Sequence, residues 1–313
     1  MPKHFFVTGE EESLSALMNA CCQGKRNYST VSRNEIRQIL ARGRRGTAGK
    51  LLMLSDEHRP LGACHVFTLG KERQGYLAYL LSVPGEEHMV WPLLIDAAHS
   101  ALSAATSITI GSPYTPLYQA VEGRFQPLWG GTETLEVSGA DTLLKEFLWQ
   151  RGYVDRENYV TMTKQLSFLE QDSTLSLRLL PDGLVFEILR GDDCWYNAYD
   201  WYGQNSAGEF GLRNESLSAY VLRKGHRIIG HTAWYPMLQA GSAALCDFEV
   251  RREARGQGIG KLLLRHTLQQ LRRDGYRTCE LFVNPRQSPE AHALYHRASF
   301  QDEATWHELT RPG

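Results

Sequence analysis

The segment "VRREARGQGIGKLLL", residues 250–264, places three glycines and four cationic side chains between a strand-like run, "AALCDFEV", and a leucine-rich helix. Glycines this dense let the backbone take left-handed conformations and let a ligand approach the main chain closely. The first N–H groups of the helix that follows have no intrahelical acceptor and sit at the positive end of its dipole. Residues 251–277 carry eight Lys or Arg against two acids, so the surroundings are cationic as well. A pyrophosphate fits that environment. A tight strand-to-helix turn with a solvated charged face is the plainer alternative. A P-loop is excluded, because Arg255 stands where its first glycine belongs and Leu262 follows Lys261. A dinucleotide fingerprint starting at Gly256 would need glycine at Lys261. A second basic stretch, "RGRRGTAGK" (42–50), precedes a strand rather than a helix and reads as a surface loop.

That turn belongs to a unit half the size of the chain. In "SLSAYVLRKGHRIIGHTAWYPM", two alternating runs meet at Lys224-Gly225, a hairpin signal. The strand "AALCDFEV", the helix "GKLLLRHTLQQLRRDG", the strand "TCELFVNP" and the helix "SPEAHALYHRASF" follow. Gly260, Leu264, Leu268 and Leu271 share one stripe, and Gly275 stands where a C-terminal cap belongs. Ser288 is the expected N-cap of the second helix with Pro289 at its first position; Ala291, Leu294, Tyr295 and Ala298 form its buried face.

The N-terminal half repeats the order through "KLLMLSD", "LGACHVFTLG", "GYLAYLLSV", a helix near "WPLLIDAAHSALSA", "SITIGSP", the helix "ADTLLKEFLWQRGY" and "YVTMTKQL". Aligning the two last helices sets Tyr153 against Phe300 and Leu148 against Tyr295. The expected organisation is a divergent tandem repeat, residues 1–168 and 174–313, joined by the polar "EQDSTLS".

With 313 residues the chain has room for two domains of ~150 each. Its formal charge of −1 makes no bulk case for nucleic acid. No apolar run approaches the ~20 residues a membrane helix needs, and the opening residues turn acidic before any apolar core, unlike a secretory signal. Six cysteines without a CxxC pair read as reduced, mostly buried thiols. A cytoplasmic protein is the expectation.

Arg255-x-x-Gly258-x-Gly260, with Val250 ending the strand before it and "NP…A..LY….F" after it, resembles the GNAT family of N-acetyltransferases over roughly residues 174–313. The resemblance implies an α/β class, with two tandem GNAT-like domains, each a splayed, mostly antiparallel mixed sheet flanked by helices. It implies acetyl-CoA as co-substrate, with no metal. Backbone of Phe248, Glu249 and Val250 would hold the pantetheine arm and acetyl group. N–H groups of Arg255, Gly256, Gln257, Gly258, Ile259, Gly260 and Lys261 would hold the diphosphate, and Asn284 would hydrogen-bond the cofactor. The acceptor is an amine on a small molecule or peptide, and the protein a monomer or homodimer.

Acetyl transfer requires a polarised carbonyl, a neutral amine and a proton for the departing thiolate. Tyr295 matches the family's tyrosine and is the candidate acid, and it is also a core tyrosine on its helix's apolar face. Alternation puts Cys246, Phe248 and Val250 on one face and Leu245, Asp247 and Glu249 on the other. Two carboxylates on an interior strand are costly unless paired or used. Asp247 is the first candidate base and Glu249 the second; a salt bridge from Asp247 to His231 on a neighbouring strand is the structural alternative. Water relaying the proton would need neither. His292 and His296 stand at i, i+4, but with no intervening Glu and no evident third ligand zinc is not expected. In "DDCWYNAYDWYGQ" (192–204), Trp195, Tyr199 and Tyr202 form a helical stripe that reads as core, while Tyr196 and Trp201 fall off it, so an aromatic, partly acidic acceptor pocket is the functional alternative.

The N-terminal counterpart of the loop, "SVPGEEHMVWPLL", has one glycine, Gly85, followed by Glu86 and Glu87, and Leu148 takes the tyrosine position. It resembles a degenerate GNAT domain, kept for packing or for closing the acceptor site. The expected activity is that of an acyl-CoA-dependent N-acyltransferase with one working C-terminal site. Two alternatives remain open at this stage: a non-catalytic acyl-CoA sensor or partner-binding module, and, opposed by Lys261, a dinucleotide-dependent oxidoreductase.

Overall fold

The computed structural model describes residues 5–7, 11–41, 49–56, 59–69, 74–111, 128–132, 137–166, 183–191, 193–194 and 217–313. The expected linker and the aromatic run from Trp195 to Gln204 lie outside them, as does most of the basic stretch 42–50.

The chain forms two compact units. The first comprises residues 1–122, 127–159 and 304–313, and the second residues 123–126 and 160–303. Against the expected division at 168 and 174, the last ten residues pack with the N-terminal unit, while residues 160–166 pack with the C-terminal one.

The first unit holds β1 (Phe5–Val7), α1 (Glu11–Cys22), α2 (Arg33–Ala41), β2 (Lys50–Ser55), β3 (Pro60–Leu69), β4 (Gln74–Ser82), α3 (Glu87–Ala101), β5 (Ser107–Ile110), β6 (Val137–Ser138) and α4 (Thr142–Gln150). The leading half of β7 (Val154–Gln165) and most of β13 (Gln301–Pro312) complete it. From β1 to β4 each strand pairs antiparallel with the next. β4 then pairs parallel with β5, and β5 pairs antiparallel with β13.

The second unit repeats this plan. Here β8 (Leu184–Arg190), β9 (Ser218–Lys224), β10 (Arg227–Pro236) and β11 (Ser242–Val250) run antiparallel in order. Helix α5 (Ile259–Arg273) crosses over to β12 (Thr278–Val283), parallel to β11, and β12 pairs antiparallel with residues 160–165 of β7. Helix α6 (Pro289–Arg297) follows. The mixed, mostly antiparallel sheets with flanking helices are the expected class.

The aligned helix ends confirm the repeat at the level of single hydrogen bonds. Tyr153 donates its N–H to the Leu148 carbonyl and Phe300 to that of Tyr295, both at 3.1 Å. The residue between, Gly152 or Ser299, is left-handed in each case (φ +83° and +65°). Such a stop satisfies the last helical carbonyls and turns the chain sharply. Gly275 ends α5 the same way, with φ +90° and Tyr276 donating to Leu271.

Core packing follows the sequence periodicity. Leu263, Leu264, Leu268 and Leu271 of α5 and Tyr295 of α6 pack with Leu222, Trp234, Leu245 and Leu281 in the second unit. None of the six cysteines is in a disulfide and five are buried; burial pushes the Cys22 thiol up to about 12. Among the described residues no helix is long and apolar enough to cross a membrane.

Candidate active site

The site begins where two strands part. β11 and β12 pair only from Ser242–Leu245 to Thr278–Leu281. Beyond that point β11 stays on β10, as far as Val250 opposite Gly230, and leaves β12. The β12 side of residues 246–250 is therefore outside that ladder, and an extended chain laid there can take up main-chain bonds as an added strand does.

A bulge accompanies the parting. Ala233 faces Asp247 while Trp234 faces Leu245, so Cys246 is an extra residue in β11. The simple alternation expected from the sequence fails at this step. Leu245 does not go with Asp247 and Glu249; it packs in the same core cluster as Val250, which Phe248 also joins. Asp247 and Glu249 remain together beside His231, which is opposite Glu249 in the register.

After β11 the chain makes one 3-10 turn, Arg252–Ala254, and enters α5. Side chains hold this bend from outside. Arg255 Nε donates to the Val250 carbonyl at 2.9 Å, Arg251 Nε to that of Ile228 at 2.6 Å, and Gln257 Nε2 to that of Glu253 at 3.1 Å. Gly256 and Gly258 are left-handed (φ +75° and +78°), and a Cβ at either would meet nothing within 4 Å. The backbone there faces open space on a path only glycine takes without strain. The first bond into α5 runs from Leu262 N–H to the Gly258 carbonyl, so the N–H groups of Ile259, Gly260 and Lys261 precede it.

Gly260 differs from these two. It lies inside the helix, and a Cβ there would make ordinary contact with Leu294 Cδ2 at 3.5 Å and the Phe248 ring at 3.9 Å. Neither its backbone nor the space around it demands glycine. Along α5 runs a groove of about 830 Å³ lined, among the described residues, by five cations, Lys164, Lys261, Arg265, Arg272 and Arg297, and by no acid. Anion-directed N–H groups at its head and cations along it suit a ligand with several phosphates.

The ring of Tyr295 is buried against Phe248 and Phe300, with centroids 5.8 Å from each. Phe248 thereby joins the parted strand, the head of α5 and the candidate acid. His231 Nε2 lies 2.5 Å from Asp247 Oδ2, the salt bridge that was the structural alternative. This pair is on the other face of β11 from Phe248 and Tyr295. Asn284, just past β12, uses its Oδ1 to accept N–H bonds from Arg286 and Gln287, both at 3.0 Å. Its evident task is to shape the turn into α6. Ser288 holds the N-cap position with Pro289 after it, but its hydroxyl makes no capping bond.

Sequence reasoning missed one cluster. His292 and His296 do have a third ligand-capable neighbour, Asp302, brought alongside by the turn after α6. Its only signal was proximity in sequence across an unexpected tight stop.

In the first unit β4 and β5 also pair over four residues and then part. There one of the turn's own acids takes an N–H group. Glu87 accepts the Gly85 N–H at 2.8 Å, and the Glu86 N–H goes to the Val83 carbonyl. A carboxylate already stands at the N–H groups an incoming phosphate would need.

Comparison with known proteins agrees with this geometry. Residues 184–300 match the acetyltransferase (GNAT) family model. No curated protein matches the chain. Among solved structures, it is similar to a tandem GNAT protein from the clavulanic acid biosynthesis pathway (14% identity, 99% of this chain and 98% of that one, TM-score 0.69). It is also similar to a GCN5-related N-acetyltransferase from Sphaerobacter thermophilus (15%, 99% and 96%, 0.61). A third likeness is to the glucosamine N-acetyltransferase region of a fungal multi-domain GH3 β-N-acetylglucosaminidase (16%, 99% and 38%, 0.70). At such identities the likeness speaks to fold alone. Residues 184–300 thus match the GNAT family, the whole chain has the fold of tandem GNAT structures, and the family match supports acyl transfer in general.

Proposed function

We propose that the second unit transfers an acetyl group from acetyl-CoA to an amine acceptor, and that the first unit has no working site of its own. The observation that carries this reading is the coincidence of three features: strands parting after Leu245, the open left-handed glycines at 256 and 258, and the cationic groove along α5.

In this reading the N–H groups of residues 255–261 hold the diphosphate, with Lys261 and Arg265 adding charge from the groove. The backbone of Phe248, Glu249 and Val250 holds the pantetheine arm on the side β12 has left. A strand-end N–H in that segment faces the carbonyl oxygen as negative charge develops on it; one such donor is worth ~10²–10³ in rate. Asn284 contributes through its amide NH₂ or backbone, because its Oδ1 is committed. The Asp247–His231 pair takes a proton from the incoming ammonium, directly or through water, with Glu249 as the neighbouring carboxylate. The neutral amine nitrogen attacks the thioester carbon, the C–S bond breaks, the sulfur takes its proton from the Tyr295 hydroxyl, and the proton the nitrogen sheds on becoming an amide passes through water to restore that hydroxyl.

Calorimetric titration with acetyl-CoA, then thiol release with an amine panel, tests the reading. Saturable binding and acceptor-dependent thiol release are expected. Absence of binding would overturn it. Tight binding with no thiol release for any amine would leave an acyl-CoA-binding module instead of an enzyme.

A further inference from the structure

Helix α6 sets His292 and His296 four residues apart, so both imidazoles rise from one face. The chain stops at left-handed Ser299 and returns at once as β13, which carries Asp302 back to that face. Three ligand-capable atoms then form a nearly equilateral triangle. His292 Nε2 and His296 Nε2 are 3.1 Å apart, and each is 3.2 Å from Asp302 Oδ1.

Those lengths fit an ion. Zinc bonds of ~2.0–2.1 Å to imidazole nitrogen and carboxylate oxygen place neighbouring ligand atoms ~3.3 Å apart in a tetrahedron and ~2.9 Å apart in an octahedron. The observed triangle lies between, so either polyhedron needs only small side-chain adjustments. Two imidazoles and one carboxylate, with water completing the shell, is a donor set that borderline divalent ions accept. The side chains are 23%, 43% and 47% exposed, so an ion has a path in and the remaining positions face solvent. On the helical wheel His292 and His296 lie opposite Leu294 and Ala298, which line the cationic groove. The cluster is therefore separate from the proposed acyl-CoA site.

We propose that His292, His296 and Asp302 bind one divalent transition ion of the zinc class, clamping the last turns of α6 to the start of β13. The clamp steadies the helix that carries Tyr295 and takes no part in the chemistry.

The test uses untagged full-length protein stripped with EDTA and titrated with zinc chloride, followed by calorimetry and thermal melting. One ion per chain is expected, with a melting temperature that rises as free zinc rises. His296→Ala and Asp302→Asn should each weaken binding by at least ~10-fold, since even outer-shell partners cost 10–100-fold in metal affinity. These groups are at the surface, so circular dichroism should show folded variants; His292→Gln gives a milder third. His226→Gln, at an exposed histidine in the β9–β10 turn, should leave binding and melting shift unchanged. Gly258→Val, aimed at the acyl-CoA site, should bind zinc as the wild type does, so either proposal can fail without the other. No saturable binding by the wild type, or binding unchanged in His296→Ala and Asp302→Asn, would overturn the assignment.

Discussion

Tyr295 combines a packing role and a proposed chemical one, and removing a single atom separates them. Tyr295→Phe keeps the ring against Phe248 and Phe300, so melting should shift little. If the hydroxyl protonates the departing thiolate, kcat falls by ~10²–10⁴ with acetyl-CoA affinity nearly constant. Full activity against a true acceptor would return Tyr295 to a purely structural role. A second residue carries its own pH signature. Burial lowers the pKa of His65, in β3, to about 4, so the folded protein keeps the ring neutral where the unfolded chain, near 6.5, takes up a proton. The unfolded state binds more protons between these values, so stability is complete above pH ~6.5 and is lost as pH falls toward 4. The shift corresponds to ~3 kcal/mol at 1.36 kcal/mol per unit. Urea unfolding at stepped pH should show the wild type losing about that much more than His65→Gln; parallel curves would rule the assignment out.

At the scale of elements, the strand-turn-helix unit was legible because two of its glycines have a backbone reason to be there. Gly256 and Gly258 need positive φ, and Gly258→Val adds strain and a branched side chain at the open face. It should weaken acetyl-CoA binding by at least ~10-fold in a folded protein. Gly260→Ala makes ordinary contact with Leu294 inside a helix, so affinity should stay within ~3-fold, about 0.6 kcal/mol. Equal losses in both would mean the loop is read wrongly. Periodicity also located α5, α6 and the strands flanking them, whose buried faces repeat cleanly. It failed where a local count decides orientation. The extra residue Cys246 in β11 leaves no compositional trace, yet it moves Leu245 to the face of Phe248 and Val250. The stop at Ser299 was hidden because serine stands where its counterpart has Gly152, and with it the approach of Asp302 to the histidine pair.

At the scale of the whole chain, the repeat could be read from the order of elements, but the exchange of its final strand could not. "QDEATWHELTRP" is polar and irregular, and its pairing with β5 and β6 is set by residues more than a hundred positions away. Pairing that non-local has no local signature. The consequence is specific. Leu309, near the C-terminus, is fully buried in the N-terminal unit, opposite Ile110 and packed in one cluster with Leu77, Leu94 and Leu148. Leu309→Ala should therefore cost ~2–5 kcal/mol in the first unit. Hydrogen exchange reads the location: amides of β4, β5 and α4 should lose protection, while those of β9 to β12 keep theirs. Acetyl-CoA titration of the same variant should give the wild-type affinity, because loop and parted strand belong to the second unit. Loss of protection confined to residues 218–283 would mean that the last strand supports the C-terminal unit instead, as a contiguous division of the chain would have it.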